Sequence, residues 1–312
     1  MIEFRNVYKK FNNKCYIEDV SFTIKSKSIL GIVGETGIGK TEILRMICGY
    51  TKPDSGDIYY DNYILGDDPN ISISYLPEID KMKGNLTVTE YLEFYCMLYG
   101  ISKVETANRV TELIDFVELS EINDKQLHML TRFEEIKLSL ARCLINAPKV
   151  VLIDEPFNKL DMTSRSIIKN LIGDLNISGI AFVIVSHLLS EVIDFCSDIV
   201  LFNDHKVAVF GSIEYAMDVL NKNNPLKIEV LEKDTSLTYK TLTGSSIVSR
   251  VVKDKNVFYV YFNENDDKNV MQSRLLTMLV SQGIMPTVFA RELRNNFNLR
   301  EIYNEDNFSY EV

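Results

Sequence analysis

A glycine-rich segment near the start of the chain constrains the fold more than any other feature. It reads Gly34-Glu35-Thr36-Gly37-Ile38-Gly39-Lys40-Thr41, between the mostly apolar residues 28–33 and a helix-forming run at residues 42–48. Glycines let backbone N–H groups turn inward around phosphate oxygens, and the helix that follows presents its positive end to them. In this pattern the lysine reaches the β- and γ-phosphates, and the threonine hydroxyl is offered to Mg²⁺. The segment therefore predicts a nucleotide site between a strand and a helix.

Two apolar runs further along the chain end in residues that suit phosphate chemistry. Residues 150–153 lead into Asp154 and Glu155, and residues 183–185 lead into Ser186 and His187. A buried strand would aim Asp154 at the metal, usually through a water molecule, and Glu155 could polarise the attacking water as a general base. A lone histidine is more often a structural residue. The order of phosphate loop, acidic strand and histidine favours the interpretation that His187 contacts the γ-phosphate.

The arrangement of apolar runs predicts two domains. Short strands separated by helices favour a mainly parallel sheet, whereas alternating residues at 2–7 and 20–24 are typical of half-exposed strands. After about residue 220 the pattern of apolar residues changes. A hydrophilic run is followed by two strand-like segments and by apolar residues at helical spacing that end at Gly283. We expect an α/β nucleotide-binding domain at residues 1–221 and a small α+β accessory domain at residues 222–312. The predicted helices of the first domain lie at residues 42–48, 89–99, 103–117, 133–145 and 164–175.

Composition narrows the class of protein. The 312 residues carry a net charge of −10, with Lys and Arg mixed among the acids. Because a nucleic-acid binder usually shows a basic face, no nucleic-acid partner is expected. The longest apolar runs are of strand length, well below the ~20 residues that a membrane span needs. The five scattered cysteines lack metal-ligand spacing and are typical of reduced thiols in a cytosolic protein. Any membrane role would therefore come through a partner.

Taken together, residues 2–220 resemble the nucleotide-binding subunit of an ABC transporter. Residues 150–156 match the second phosphate-site motif of that family, Asp161 its aspartate loop, and His187 with Glu191 its switch-histidine segment. Phe11 falls where the family stacks an aromatic ring on adenine, although aromatics are also common in cores. Glu78 stands where the family usually has glutamine. A glutamate there can still accept Mg²⁺ or water, and an exposed turn acid is the alternative.

The resemblance implies a P-loop ATPase of the ABC-cassette type, with a mainly parallel sheet, an antiparallel β part and a helical subdomain. It also implies ATP and Mg²⁺ as cofactors, a separate transmembrane permease, and a second cassette subunit. The implied location is cytoplasmic, at the inner face of the membrane. Glu42 is included with the loop, although its side chain is expected to point away. The candidate residues are Glu155 and His187 for catalysis; Phe11, Gly34, Glu35, Thr36, Gly37, Gly39, Lys40, Thr41 and Glu42 for the nucleotide; and Thr41, Asp154 and Glu78 for the metal.

One segment departs from the family pattern. The family offers a signature, Leu-Ser-Gly-Gly-Gln, to the nucleotide held by the other subunit, and this chain has Leu130-Thr131-Arg132-Phe133-Glu134 there. Glycines allow backbone N–H groups to approach the γ-phosphate closely. Phe133 adds bulk and Glu134 adds negative charge, which Arg132 could partly offset. The resemblance therefore implies a poor signature donor, and pairing with a different cassette subunit is preferred to a homodimer.

Three functions remain open at this point. The first is a transport ATPase that uses the loop at Glu78 and the helices at residues 89–117 to dock on a permease. The second is a nucleotide-binding regulatory subunit with little hydrolysis, and the altered signature favours it. The third is a cassette ATPase of translation or DNA repair, but those resemble tandem cassettes or cassettes split by coiled coils. Residues 298–303 resemble the closing segment of drug and peptide-antibiotic exporters, which favours export.

Overall fold

The chain folds into two compact units. The computed structural model describes residues 1–11, 14–61, 63–65, 72–78, 81–223, 225–263 and 268–291. The units are Met1–Ile213 and Glu214–Val312. The boundary expected from the sequence, at residues 221/222, falls inside the helix Ile213–Asn223 and stays a prediction. The strands and helices of the first unit are, in chain order, β1 (Ile2–Phe11), β2 (Lys14–Ile24), β3 (Ile29–Val33), α1 (Lys40–Ile47), β4 (Ser55–Tyr60), β5 (Tyr63–Ile64), β6 (Ile73–Leu76), α2 (Val88–Leu98), α3 (Lys103–Phe116), α4 (Arg132–Leu144), β7 (Val150–Asp154), α5 (Met162–Ile177), β8 (Ala181–Ser186), β9 (Asp198–Asn203) and β10 (Lys206–Ser212).

A six-stranded sheet forms the centre of the first unit, in the order β10-β9-β3-β8-β7-β6. All neighbours pair in parallel except β10, which is antiparallel to β9. Every residue of β3, β7, β8 and β9 is buried, as expected for parallel strands covered on both faces. The predicted mainly parallel sheet is therefore confirmed. Because the carboxyl ends of parallel strands share one edge, the residues that follow β3, β7 and β8 meet there.

A second, antiparallel sheet has the order β2-β1-β4-β5 and shares a core with the first. The rings of Phe4 and Phe22, on β1 and β2, stack with their centroids 4.5 Å apart. β4 begins at Ser55 and continues at Gly56. Gly56 has φ +77°, and a Cβ there would lie 2.1 Å from the carbonyl oxygen of Asn6 on β1. Only glycine lets the two strands pair this closely.

Helices α2, α3 and α4 form a helical layer, and all three start in the same way. A hydroxyl side chain accepts a hydrogen bond from the backbone N–H three residues on, and the glutamate at that position accepts one in return. This capping box satisfies backbone groups that a helix start otherwise leaves without partners. The observed bounds agree with the predicted helices to within one residue at each end. The three pairs are Thr87 with Glu90, Ser102 with Glu105, and Thr131 with Glu134.

The second unit is a small α+β fold, as predicted. Its elements are α6 (Ile213–Asn223), β11 (Leu226–Glu229), α7 (Thr235–Thr243), β12 (Val248–Asp254), β13 (Val257–Phe262), α8 (Lys268–Ser281) and β14 (Val288–Arg291). The antiparallel sheet has the order β12-β13-β11-β14, so the βαββαβ succession is of the ferredoxin-like kind. Its core includes Ile228, Phe258, Val260 and Leu275, all fully buried. Among the helices in the described ranges, none combines the length and the apolar character that crossing a bilayer requires.

Candidate nucleotide site

The glycine-rich loop lies between β3 and α1, and three of its glycines are needed for different reasons. Gly37 and Gly39 have φ of +84° and +112°, in the region that side chains disfavour. Gly34 is limited by space, because a Cβ there would lie 3.0 Å from the Cβ and the carbonyl oxygen of Phe202 on β9. These backbone conformations create the cradle that the sequence predicted. The fit to a phosphate chain rests on this cradle and on the lysine inside it.

Lys40 is the charged group of the cradle and is only 5% exposed. Its Nζ donates hydrogen bonds to the carbonyl oxygens of Gly34 (2.7 Å) and Glu35 (2.9 Å). Burial lowers the pKa of Lys40, and the nearby carboxylates of Glu155 and Asp154 oppose that shift. Both hydrogen-bond acceptors are neutral, so the ammonium keeps its charge for an anion. A polyphosphate meets that requirement.

Thr41 and Asp154 join the start of α1 to the end of β7. The Thr41 hydroxyl donates to Oδ2 of Asp154 at 2.8 Å, and the Tyr75 hydroxyl on β6 lies 3.5 Å from the same oxygen. Burial raises the pKa of Asp154, and the charge of Glu78 raises it further, while Thr41 lowers it. Hydroxyl and carboxylate oxygens are the ligands that Mg²⁺ prefers. Glu78 itself accepts a hydrogen bond from Nδ2 of Asn158 at 3.2 Å.

Glu155 and His187 face each other across the ends of β7 and β8. His187 Nδ1 lies 2.8 Å from Oε2 of Glu155, so this ring nitrogen carries the proton. Glu155 has φ +49°, and its backbone N–H donates to the carbonyl oxygen of Val185 at 3.0 Å. Burial raises the pKa of Glu155, and the hydrogen bond from His187 opposes the shift. A carboxylate whose pKa is raised towards neutrality is a better proton acceptor.

The turn that carries His187 is anchored by a buried acid. Ser186 donates a short hydrogen bond to Glu191, which is 2% exposed. The other carboxylate oxygen of Glu191 lies 3.1 Å from NH1 of Arg165 on α5. The histidine therefore follows a strand end that is fixed on both sides. The sequence placed Glu191 in this segment, and the structure shows which groups it holds.

The remaining candidate residues lie around the loop. Glu35 and Thr36 are exposed. Glu42 points its carboxylate towards Arg45, with 3.6 Å between the charged atoms, while its backbone N–H donates to the carbonyl oxygen of Gly39. Phe11 ends β1, but its side chain is outside the described part of the chain, so its stacking on adenine stays a prediction.

Sequence reasoning missed two residues that contact this site. Tyr75 reaches the acid at the end of β7, and His205 places Nδ1 3.1 Å from the carbonyl oxygen of Ile38 in the phosphate loop. Tyr75 precedes Glu78 by three residues, which could have drawn attention to it. His205 lies 167 residues from its partner, and no local pattern marks it.

The altered signature segment lies at the start of α4. Thr131 caps the helix, and its hydroxyl oxygen accepts a hydrogen bond from the backbone N–H of Glu134 at 3.3 Å. The Glu134 carboxylate accepts hydrogen bonds of 2.7 and 2.9 Å from Nζ of Lys125. The ring of Phe133 lies 4.8 Å below Nζ of Lys137. The added charge and the added bulk thus both have partners within the chain, which the sequence alone did not show.

Comparisons with known proteins identify the family. The family model described as ABC transporter matches residues 17–158. The zinc import ATP-binding protein ZnuC of Rickettsia conorii is 34% identical over 208 residues, which cover 66% of this chain and 84% of that protein. The chain belongs to the ABC transporter family. The predictions of an ATP-binding P-loop ATPase and of the ABC-cassette fold are confirmed.

Further similarities bear on the fold and on the direction of transport. The solved structure of cbiO1 from Clostridium perfringens, part of the ABC transporter complex cbiONQ, covers 70% of this chain. The match covers 90% of that chain, at a TM-score of 0.65 and 21% identity, which supports the fold alone. The linearmycin resistance ATP-binding protein LnrL of Bacillus subtilis is 26% identical over 215 residues, which cover 68% of this chain and 69% of that protein. An importer and a resistance protein both match, so the exporter subgroup stays a prediction.

Proposed function

We propose that this cassette powers transport through a separate transmembrane permease, and that Lys40, Thr41, Asp154, Glu155 and His187 form its half of the hydrolytic site. One observation carries the proposal. Side chains from the loop after β3 and from the ends of β7 and β8 converge at one edge of the parallel sheet, with hydrogen bonds of 2.8 Å linking Thr41 to Asp154 and Glu155 to His187.

Each residue has a role that follows from its surroundings. Among the residues that the structure describes, the Lys40 ammonium donates to neutral carbonyl oxygens, so its charge serves to bind phosphate oxygens. Thr41 and Asp154 would hold Mg²⁺, which when bound supplies positive charge to the phosphates. Glu155 accepts a proton from the attacking water, because its pKa is raised while its carboxylate remains within reach of the loop. His187 donates to Glu155 and so orients the carboxylate.

An exposed apolar patch on α2 supports docking on a membrane subunit. Phe94, Met97 and Leu98 are 44%, 61% and 64% exposed. Met97 and Leu98 lie three and four residues after Phe94 near the end of α2, so these side chains are neighbours on one face of the helix. Contiguous exposed apolar side chains of this kind mark interaction surfaces. The patch lies within the helices that the sequence assigned to permease docking. We propose that a permease segment covers it.

A cavity of about 310 Å³ is lined by Tyr50, Tyr75, Tyr99 and Arg142, among others. Tyr99 follows the patch residue Leu98 in the chain. Arg142 donates from NH2 to the carbonyl oxygen of Tyr75 at 2.9 Å, and Tyr75 also reaches Asp154. A segment inserted here would press on β6 just before Glu78. This arrangement supports coupling between the docking surface and the metal site.

The signature segment supports pairing with a different cassette subunit. Arg132 and Phe133 replace two glycines, so backbone approach to a partner's nucleotide is restricted on this side. In a heterodimer only one of the two sites meets this segment, whereas in a homodimer both do. A regulatory subunit with little hydrolysis is the second candidate function, and the same replacement favours it. The proposed location is the cytoplasmic face of the membrane, through the permease.

Export of a drug or peptide is the direction that we propose. The similarity to LnrL, which is named for linearmycin resistance, supports it, and the similarity to ZnuC, named for zinc import, supports the opposite direction. The closing segment at residues 298–303 lies outside the described residues.

Co-purification with neighbouring gene products tests the proposal. We expect the full chain to co-purify with a multi-span permease and a second cassette protein, and the assembled complex to hydrolyse ATP faster than the chain alone. Leu98→Asp should abolish the association with the permease while ATP binding is kept. Ile177→Asp is the matched control, because Ile177 is 86% exposed on α5, outside the patch. Co-purification with ribosomes or DNA instead of a membrane protein would overturn the transport assignment.

Charge variants of the signature segment test the dimer. If Lys125 neutralises Glu134 next to the partner's nucleotide, Lys125→Met should weaken ATP-driven association of the two cassettes. Glu134→Gln should not weaken it, and the double variant should recover the affinity lost in Lys125→Met. Equal loss in Lys125→Met and in the double variant would show that the pair acts only on the fold.

A further inference from the structure

The turn that joins β9 and β10 has an unusual backbone. Asp204 and His205 form it, with φ of +44° and +68°, between the paired residues Asn203 and Lys206. Two successive left-handed residues are the mark of the type I′ hairpin turn, which favours glycine at the second position. His205 carries a full side chain there. Left-handed residues other than glycine cost free energy and cluster at functional positions.

The His205 side chain contacts the phosphate loop. Its Nδ1 lies 3.1 Å from the carbonyl oxygen of Ile38, and because a carbonyl only accepts, Nδ1 is the donor. Ile38 lies between Gly37 and Gly39, the two loop residues in left-handed conformations. The backbone carbonyl of His205 in turn accepts a hydrogen bond from the N–H of Glu18 on β2, at 2.9 Å. One residue thus connects β2 to the middle of the phosphate loop.

The geometry of the peptide bond makes this contact relevant to ligand binding. The Ile38 carbonyl and the Gly39 N–H belong to one planar trans peptide unit, so they point in opposite directions. Holding the carbonyl towards His205 directs the N–H to the opposite side of the loop. The φ torsion of Gly39, which a glycine leaves free, would otherwise let this peptide rotate. A phosphate site needs its N–H groups already turned inward.

We propose that His205 is a positioning residue of the phosphate loop, which fixes the Ile38–Gly39 peptide in the orientation that presents the Gly39 N–H to the phosphates of the nucleotide. The inference rests on the proposed nucleotide site. It assigns His205 no contact with the nucleotide: its effect passes through the Ile38 carbonyl. The alternative is that His205 serves only as a turn residue. The two roles predict different ATP affinities for a variant that removes the His205 ring and relieves the backbone strain at the same time.

His205→Gly and His205→Asn separate these two roles in the full chain. Glycine relieves the left-handed backbone, so the melting temperature should stay the same or rise. The donor is lost, however, and the Kd for ATP in the presence of Mg²⁺ should rise about 2- to 12-fold, the range for one net hydrogen bond. Asparagine tolerates the left-handed region and places an amide nitrogen where Nδ1 was. It should therefore bind ATP as the unchanged chain does.

Two controls make the outcome decisive. His128→Asn is the matched variant, because His128 Nδ1 also lies 3.1 Å from a backbone carbonyl oxygen, that of Gly84, which precedes α2. It should leave the Kd unchanged. Unchanged ATP affinity in His205→Gly, or equal weakening in His205→Gly and His205→Asn, would overturn the inference. Lys40→Met distinguishes failure of this inference from failure of the proposed nucleotide site. If Lys40→Met binds ATP normally, the proposed nucleotide site is wrong. If Lys40→Met loses ATP binding and His205→Gly does not, only the role of His205 is wrong.

Discussion

Replacing Glu155 by glutamine should stop turnover without loosening the nucleotide. Glutamine has the same shape, and its amide oxygen can still accept the 2.8 Å hydrogen bond from Nδ1 of His187. The backbone hydrogen bond to Val185 does not involve the side chain at all. The substitution removes the Glu155 carboxylate, the group that we assign to accept the proton of the attacking water. Loss of a positioned general base costs about 10²- to 10⁴-fold in rate, which corresponds to about 2.7–5.4 kcal/mol of activation free energy.

The assay is ATP hydrolysis by the assembled complex, with the Kd for ATP measured on the same preparation. Glu214→Gln is the matched control, since Glu214 is exposed on α6, outside the helices assigned to permease docking, and it should hydrolyse ATP at the unchanged rate. If His187 acts through Glu155, adding His187→Gln to Glu155→Gln should slow the reaction little further, because groups that act as a unit are not additive. Turnover of Glu155→Gln within about twofold of the unchanged complex would refute the assignment of the general base.

Three further predictions follow from the same contacts. Thr41→Val removes the hydroxyl that bonds the acid of β7, so the Mg²⁺ concentration for half-maximal hydrolysis should rise about tenfold or more in a metal titration. Glu155 must be ionised to accept a proton, and burial raises its pKa above 4.5, so turnover should fall with decreasing pH from a point above that value. Circular dichroism should show that the fold is intact at the pH where turnover falls. The reason is that a carboxyl whose pKa rises on folding favours the folded state as pH falls. Gly56→Ala should cost about 3 kcal/mol or more in urea unfolding, because its Cβ would meet the Asn6 carbonyl at 2.1 Å, whereas Gly49→Ala, with a similar φ and open space, should cost about 1–2 kcal/mol.

Contiguous motifs could be predicted from the sequence, and contacts between distant segments could not. Residues 34–41 carry their strand, turn and helix signals side by side, and Asp154 and His187 each follow an unbroken apolar run. The sequence-based segmentation missed β12, where exposed residues outnumber the rest and no clean alternation appears. It expected a linker or a domain edge where α6 ends, because the last residues of this helix are polar. The hydrogen bond from His205 to Ile38 depends on how the sheet brings together two segments that are far apart in the sequence.

The site roles assigned from the motifs remain predictions. For the signature segment, the structure adds contacts that bear on its predicted role. The sequence predicted that Phe133 adds bulk and Glu134 adds negative charge to the altered signature. In the fold, Lys125 holds the charge of Glu134, and the ammonium of Lys137 lies over the ring of Phe133. Compensation of this kind involves residues several positions away on the same surface. A residue-by-residue comparison with a motif does not reveal it.

The way Lys40 is held sets a threshold for ligand choice. Its ammonium already donates to two carbonyl oxygens of its own loop, at 2.7 and 2.9 Å. Two of its three N–H donors are used in this way, so a ligand with one charged acceptor gains little from Lys40, while a triphosphate offers several charged acceptors at once. Affinity should therefore increase steeply from AMP to ADP to ATP. The cassette would in this way discriminate against inorganic phosphate and monophosphates, and would respond to the energy state of the cell and not to total nucleotide.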